Sequence, residues 1–93
     1  MAVFAIIAQP NPNTEKLAAV IAKTFPDSHL QLGDKNWLVA TTGTPKELSD
    51  KLGITDGRNG AAVVVLMAGY YGRASNDIWN WVKAKWEATS DNG

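Results

Sequence analysis

The residues best suited to hold a ligand lie in the run Gly69-Tyr70-Tyr71-Gly72-Arg73. Two glycines at a G-x-x-G spacing, after an apolar stretch and ahead of a helix start, can offer backbone N–H groups to an anion, and Arg73 would add positive charge. The run has neither the Lys-Ser/Thr ending of a P-loop nor the third glycine of a dinucleotide fingerprint. The same glycines also serve a chain that must simply leave a strand and turn. Tyr70 and Tyr71, with Trp81 further on, supply aromatic surface of the kind that anchors protein partners or stacks on single-stranded bases. Tyr70, Tyr71, Arg73 and Trp81 are therefore the candidate binding residues.

The other reactive side chains are poorly arranged for catalysis. His29 is the only histidine, so a histidine metal cluster is ruled out and a histidine base would need a partner brought to it by the fold. Ser28, Ser49, Ser75 and Ser90 fall in turn, cap, helix or tail contexts, and no nucleophile motif surrounds any of them. The carboxylates are dispersed, and Glu15, Glu47 and Asp77 sit where a helix start favours negative charge. Cysteine is absent, which removes a thiol nucleophile, a disulfide framework, thiolate zinc and cysteine-ligated iron–sulfur clusters. The expectation is no catalytic residue, no metal site and no cofactor, in a reducing, cytoplasmic setting.

Nine Lys and Arg offset nine Asp and Glu, so no global field draws the chain to nucleic acid or an anionic membrane. The 93 residues suit one core, read as a single domain over 1–88 with a solvated tail at 89–93. The opening MAVFAIIAQP lacks a basic flank and meets Pro10 too soon for a signal peptide or a span, so it reads as a strand and no membrane partner is expected.

The elements that would position these residues follow from local patterns. Val3 to Ala8 reads as a strand, stopped by the polar, proline-containing stretch Gln9 to Asn13. Leu17, Ala18, Val20, Ile21 and Phe25 then recur at helical spacing, with Asn13 as N-cap and Pro26 as the stop. His29 to Thr41 carries two alternating runs around Gly33-Asp34-Lys35-Asn36, a hairpin signal that does not match the sharp two-residue types. In Thr44-Pro45-Lys46-Glu47, Thr44 can cap a second helix, Pro45 fits its first position and Glu47 can complete a capping box, and Gly53-Ile54 suits a left-handed stop. Ala61 to Ala68 is continuously apolar, as in a strand covered on both faces or central in a sheet. Ser75 can cap a last helix reaching about Ala88. On that helix Ile78, Trp79, Val82 and Trp86 share one arc, with Trp81 at its margin.

The order is βαββαβ followed by α, which predicts an α+β, ferredoxin-like domain with an antiparallel sheet whose helices cover one face. With strand one, the sequence Asn36-Trp37-Leu38-Val39-Ala40-Thr41 leading into the capped helix Thr44 to Leu52, and Val63 to Ala68 leading to Trp79, Trp81 and Val82, the chain resembles the small bacterial SinR-like proteins. Those are related in fold to CRISPR-associated endoribonucleases and VapD toxins. The resemblance implies a domain that often dimerises, in a nucleic-acid or defence context. In the nuclease relatives an acidic residue near the end of strand one is the candidate metal ligand for phosphodiester cleavage. This chain has Ala8-Gln9-Pro10-Asn11 there, without the negative charge that a hard divalent cation requires.

The first expectation is thus a small non-catalytic interaction or regulatory domain that homodimerises, with an unidentified protein partner. The contact surface is expected near the last helix and the Tyr70 to Arg73 loop. The alternative is a divergent metal-dependent nuclease, or a nucleic-acid-binding protein of the same group.

Overall fold

The computed structural model describes residues 2–69, 72–73 and 76–90, the last four of these by their backbone alone. Strand β1 (Ala2–Ala8) alternates its side chains between two covered faces, and both sets are apolar. Phe4, Ile6 and Ala8 point one way; Val3 and Ala5 point the other. Helix α1 (Thr14–Thr24) follows, then β2 (His29–Gly33), β3 (Asn36–Thr41), α2 (Pro45–Leu52), β4 (Ala62–Leu66) and α3 (Asn76–Ser90). The helical stretch at the C-terminus thus continues through Thr89 and Ser90, two residues past the expected stop.

The four strands form one sheet in the order β2-β3-β1-β4, with every neighbouring pair antiparallel. The molecule is therefore α+β, with an antiparallel sheet and three helices. Phe4 lies between Val39 of β3 and Leu66 of β4, which fixes both registers of the central strand. A one-residue slip would turn Phe4 and Ile6 to the wrong face, so burial enforces this alignment.

Helices lie on both faces of the sheet, a correction to the single covered face expected from the sequence. Leu17 and Ile21 of α1 and Leu48 and Leu52 of α2 close over Phe4, Ile6, Trp37 and Val39. On the opposite face Val82 of α3 packs against Val3, Leu38 and Ala40, with Ile78, Trp81 and Trp86 beside it. The arc that α3 buries therefore includes Trp81, which the helical spacing alone places at the margin. A strand with two apolar faces cannot leave either in water, and a third helix on the second face meets that need.

Two local expectations also change. Asn13 occupies the N-cap position of α1 without a side-chain capping bond. Asn11 organises the turn instead: its Oδ1 accepts from Asn13 N at 2.8 Å, and its carbonyl accepts from Thr14 Oγ1 at 2.9 Å. The hairpin closes through just two residues, Asp34 and Lys35, because Gly33 pairs with Asn36. No non-glycine residue described has positive φ, so this turn is not one of the mirror-image types whose twist suits a two-residue hairpin. A register irregularity between Gln31 and Gly33 takes up the difference.

Helix α2 forms as its signals predict. Thr44 Oγ1 accepts from Glu47 N at 3.1 Å, and Pro45 occupies the first turn, where its missing N–H costs nothing. Gly53 ends the helix at φ +73°, with Ile54 buried beyond it.

Candidate functional site

The apolar run of β4 sits at the sheet's edge with its side chains partly exposed, where the sequence predicts a strand covered on both faces or central in the sheet. In the order β2-β3-β1-β4 only one side of β4 is paired. Val63 is 50% exposed, Val65 42% and Leu66 50%, and Ile7, directly opposite Val63 on β1, is 43% exposed. Ile7, Val63 and Val65 share the face that α3 covers, but none of the three belongs to the cluster that Val82 of α3 forms with Val3, Leu38 and Ala40. A continuous apolar run thus has a second explanation besides full burial: one face serves the core, and the other stays available.

The edge itself has a definite phase. Gln9 N donates to Ala61 O at 2.8 Å and Met67 N donates to Val3 O at 3.0 Å. In an antiparallel ladder, bonded and non-bonded pairs alternate. Residues 61, 63, 65 and 67 therefore turn their backbone groups to β1, and Ala62, Val64 and Leu66 turn theirs outward. Their side chains take the opposite face from Val63 and Val65, where Ala62 and Val64 rest on the core.

The sheet's other edge is guarded. β2 carries the irregularity between Gln31 and Gly33, and Gln31 Nε2 donates to Gly33 O at 2.9 Å, occupying a carbonyl near the strand's end. Bulges and polar side chains are common ways to stop strand-to-strand association. β4 has neither.

The residues singled out in the sequence are dispersed. Tyr70 and Tyr71 lie outside the described residues, as does Ser75, the expected cap of α3. Arg73 is exposed. A Cβ added at Gly69 or Gly72 would meet no described atom within 4 Å, so neither glycine admits a close approach by a described residue. Trp81 is half-buried against the α3-side core. His29 starts β2, with Nδ1 2.6 Å from Phe25 O. A carbonyl only accepts, so Nδ1 carries the proton and ties the strand to the end of α1.

A hollow of about 280 Å³ opens beside α2, lined by Thr41, Thr42, Glu47, Leu48 and Lys51. Glu47 and Lys51 are an i,i+4 pair on an exposed helix face, an arrangement that helix surfaces commonly carry. Among the described residues no group of three or more His, Asp or Glu converges on a metal position. No helix among them is long and apolar enough to cross a membrane.

The charged network of this region runs along the neighbouring row of α2, through Lys46 and Asp50. Asp50 accepts from Thr55 Oγ1 at 2.6 Å and from Lys46 Nζ at 2.9 Å. Thr55 has one hydroxyl proton and gives it to Asp50, so Ser49 donates in the 2.8 Å contact between Ser49 Oγ and Thr55 Oγ1. The hydrogen bond from Thr55, then that from Lys46, holds the Asp50 carboxyl below its ordinary value, and Asp50 in turn raises Lys46. A depressed carboxylate contributes stability above its unfolded-state pKa and loses it as pH falls through the folded value. Carboxyl NMR should therefore find Asp50 titrating below an ordinary aspartate, and Asp50→Asn should flatten the acid limb of the stability curve. Both groups are exposed, so the effect should be small and should shrink in salt. An Asp50 midpoint at or above the ordinary value would show that the Thr55 bond is not kept in solution.

No protein-family model, no curated protein and no solved structure matches the chain.

Proposed function

We propose that the chain is a non-catalytic interaction domain of ferredoxin-like architecture that associates with a second copy of itself. The observation that carries this reading is the open edge at β4, where Val63 and Val65 on one face, with Ile7 beside them, and Leu66 on the other are each 42–50% exposed. Apolar surface gathered at one corner of a sheet marks an interaction site more often than isolated exposed side chains do. The βαββαβ element order with a following helix, and the strand order β2-β3-β1-β4, support the ferredoxin-like architecture. The resemblance to the SinR-like group agrees with dimerisation and suggests a defence or nucleic-acid context for it.

The described residues favour interaction over chemistry. Asp50 and Lys46 are bound to each other, Asp56 holds Arg58 at 2.9 Å, and His29 is engaged by Phe25. These contacts use the side chains to fasten local structure. Sedimentation equilibrium is expected to give a dimer at high micromolar concentration. A strict monomer across that range would overturn the proposal.

A further inference from the structure

We infer that the second copy docks edge to edge, its β4 running antiparallel to this one and centred on Val64, so that the two four-stranded sheets become one continuous sheet. This rests on the self-association proposed above and specifies its geometry. The outward backbone groups belong to Ala62, Val64 and Leu66, placed symmetrically about Val64. Rotating the strand by a two-fold axis through Val64 sets Val64 opposite its own copy, and Ala62 opposite Leu66 of the second copy. In that register every outward N–H meets an outward carbonyl, whereas a shift along the strand leaves some of these groups unmatched.

The side chains agree with the backbone. The same axis sets Val63 opposite Val65 of the second copy, on the face where Ile7 is also exposed, so the two uncovered corners merge into one apolar strip. Aliphatic pairs directly opposite on an antiparallel ladder stabilise it. No charged residue occurs between Arg58 and Arg73, so two copies of the strand meet without like charges facing each other. The β2 edge, with its irregularity and the Gln31 amide on Gly33, offers no such match.

The chain has no cysteine, so one introduced thiol is unique. In the proposed register the two Val64 Cα atoms stand about 5.5 Å apart, inside the range of about 4.4–6.8 Å that a disulfide spans. Val64→Cys should form a covalent dimer under mild oxidation faster than Lys23→Cys, on the exposed face of α1. Val65→Lys places a charge on the edge at a residue already 42% exposed. It should weaken the dimer about tenfold or more while leaving the unfolding of the monomer unchanged. A wild-type dimer in which Val64→Cys links no faster than Lys23→Cys, or in which Val65→Lys leaves the dissociation constant unchanged, overturns the edge-to-edge docking and leaves self-association standing. A wild-type monomer overturns both.

Discussion

Phe4→Ala is expected to lower the free energy of unfolding by about 3–5 kcal/mol, the range for truncating a buried aromatic side chain. Phe4 has no exposed surface and lies in the central strand, between Val39 and Leu66. Its ring sits in the cluster that α1 and α2 close, with Leu17, Ile21, Leu48 and Leu52. Removing the ring loses its transfer free energy and leaves a void that strands paired on both sides cannot easily fill. A domain of this size has a total stability of roughly 5–14 kcal/mol, so the variant should unfold at much lower denaturant and show a visible unfolded population when warmed. Urea denaturation followed by tryptophan fluorescence measures the change. A loss under about 1 kcal/mol would mean that the α1 and α2 layer does not close over Phe4 as described.

Gly53→Ala, at the buried C-cap of α2, should cost about 2–3 kcal/mol, because two separate costs coincide there. The backbone is left-handed at φ +73°, which strains any residue with a Cβ. The new methyl would also lie 2.5 Å from Asn59 Nδ2 and 2.8 Å from Arg58 Nε. Asn59 Nδ2 donates to Leu52 O at 2.8 Å, satisfying a carbonyl that the end of α2 leaves without a helical partner. Making room for the methyl breaks that bond. Gly57 provides the comparison: its φ is +79°, but nothing lies within 4 Å of an added Cβ. Gly57→Ala should therefore cost only the backbone term, about 1–2 kcal/mol. Equal losses at the two positions, measured by thermal unfolding, would show that Asn59 and Arg58 move aside freely.

The difference between α2 and β4 shows which parts of the fold can be read from the residues alone. Thr44, Pro45 and Gly53 act within a few residues of themselves, so the start and stop of α2 are written locally and the helix forms where they say. The run Ala62 to Leu66 records that its side chains can be buried, but not how many neighbours the strand has. That depends on where β1, β3 and α3 lie, and those contacts cross most of the chain. The edge position of β4 could have been inferred from the hairpin, because βαββαβ connectivity with adjacent β2 and β3 pushes the last strand outward. Trp79 and Trp81 pose the same problem on α3. They flank the line through Ile78 and Val82 on opposite sides, and only the sheet beneath decides that Trp81 joins the cluster with Trp86. The loop Gly69 to Arg73 has the residue types of a binding site, while the open apolar surface lies a few residues earlier, on the strand itself.

The placement of β1 at the centre of the sheet also sets a schedule for folding during synthesis. The chain grows from its N-terminus, so Phe4 and Ile6 leave the ribosome before either strand that will pair with them. Val39 and Trp37 must appear before the first side of β1 can be sheltered, and Leu66 and Val64 before the second. Until then this wholly apolar strand is a nascent segment without its sheet, exposed to chaperones and to other nascent chains. Because its partners are distant in sequence, refolding of the full-length chain should be slower than in a helical domain of similar size.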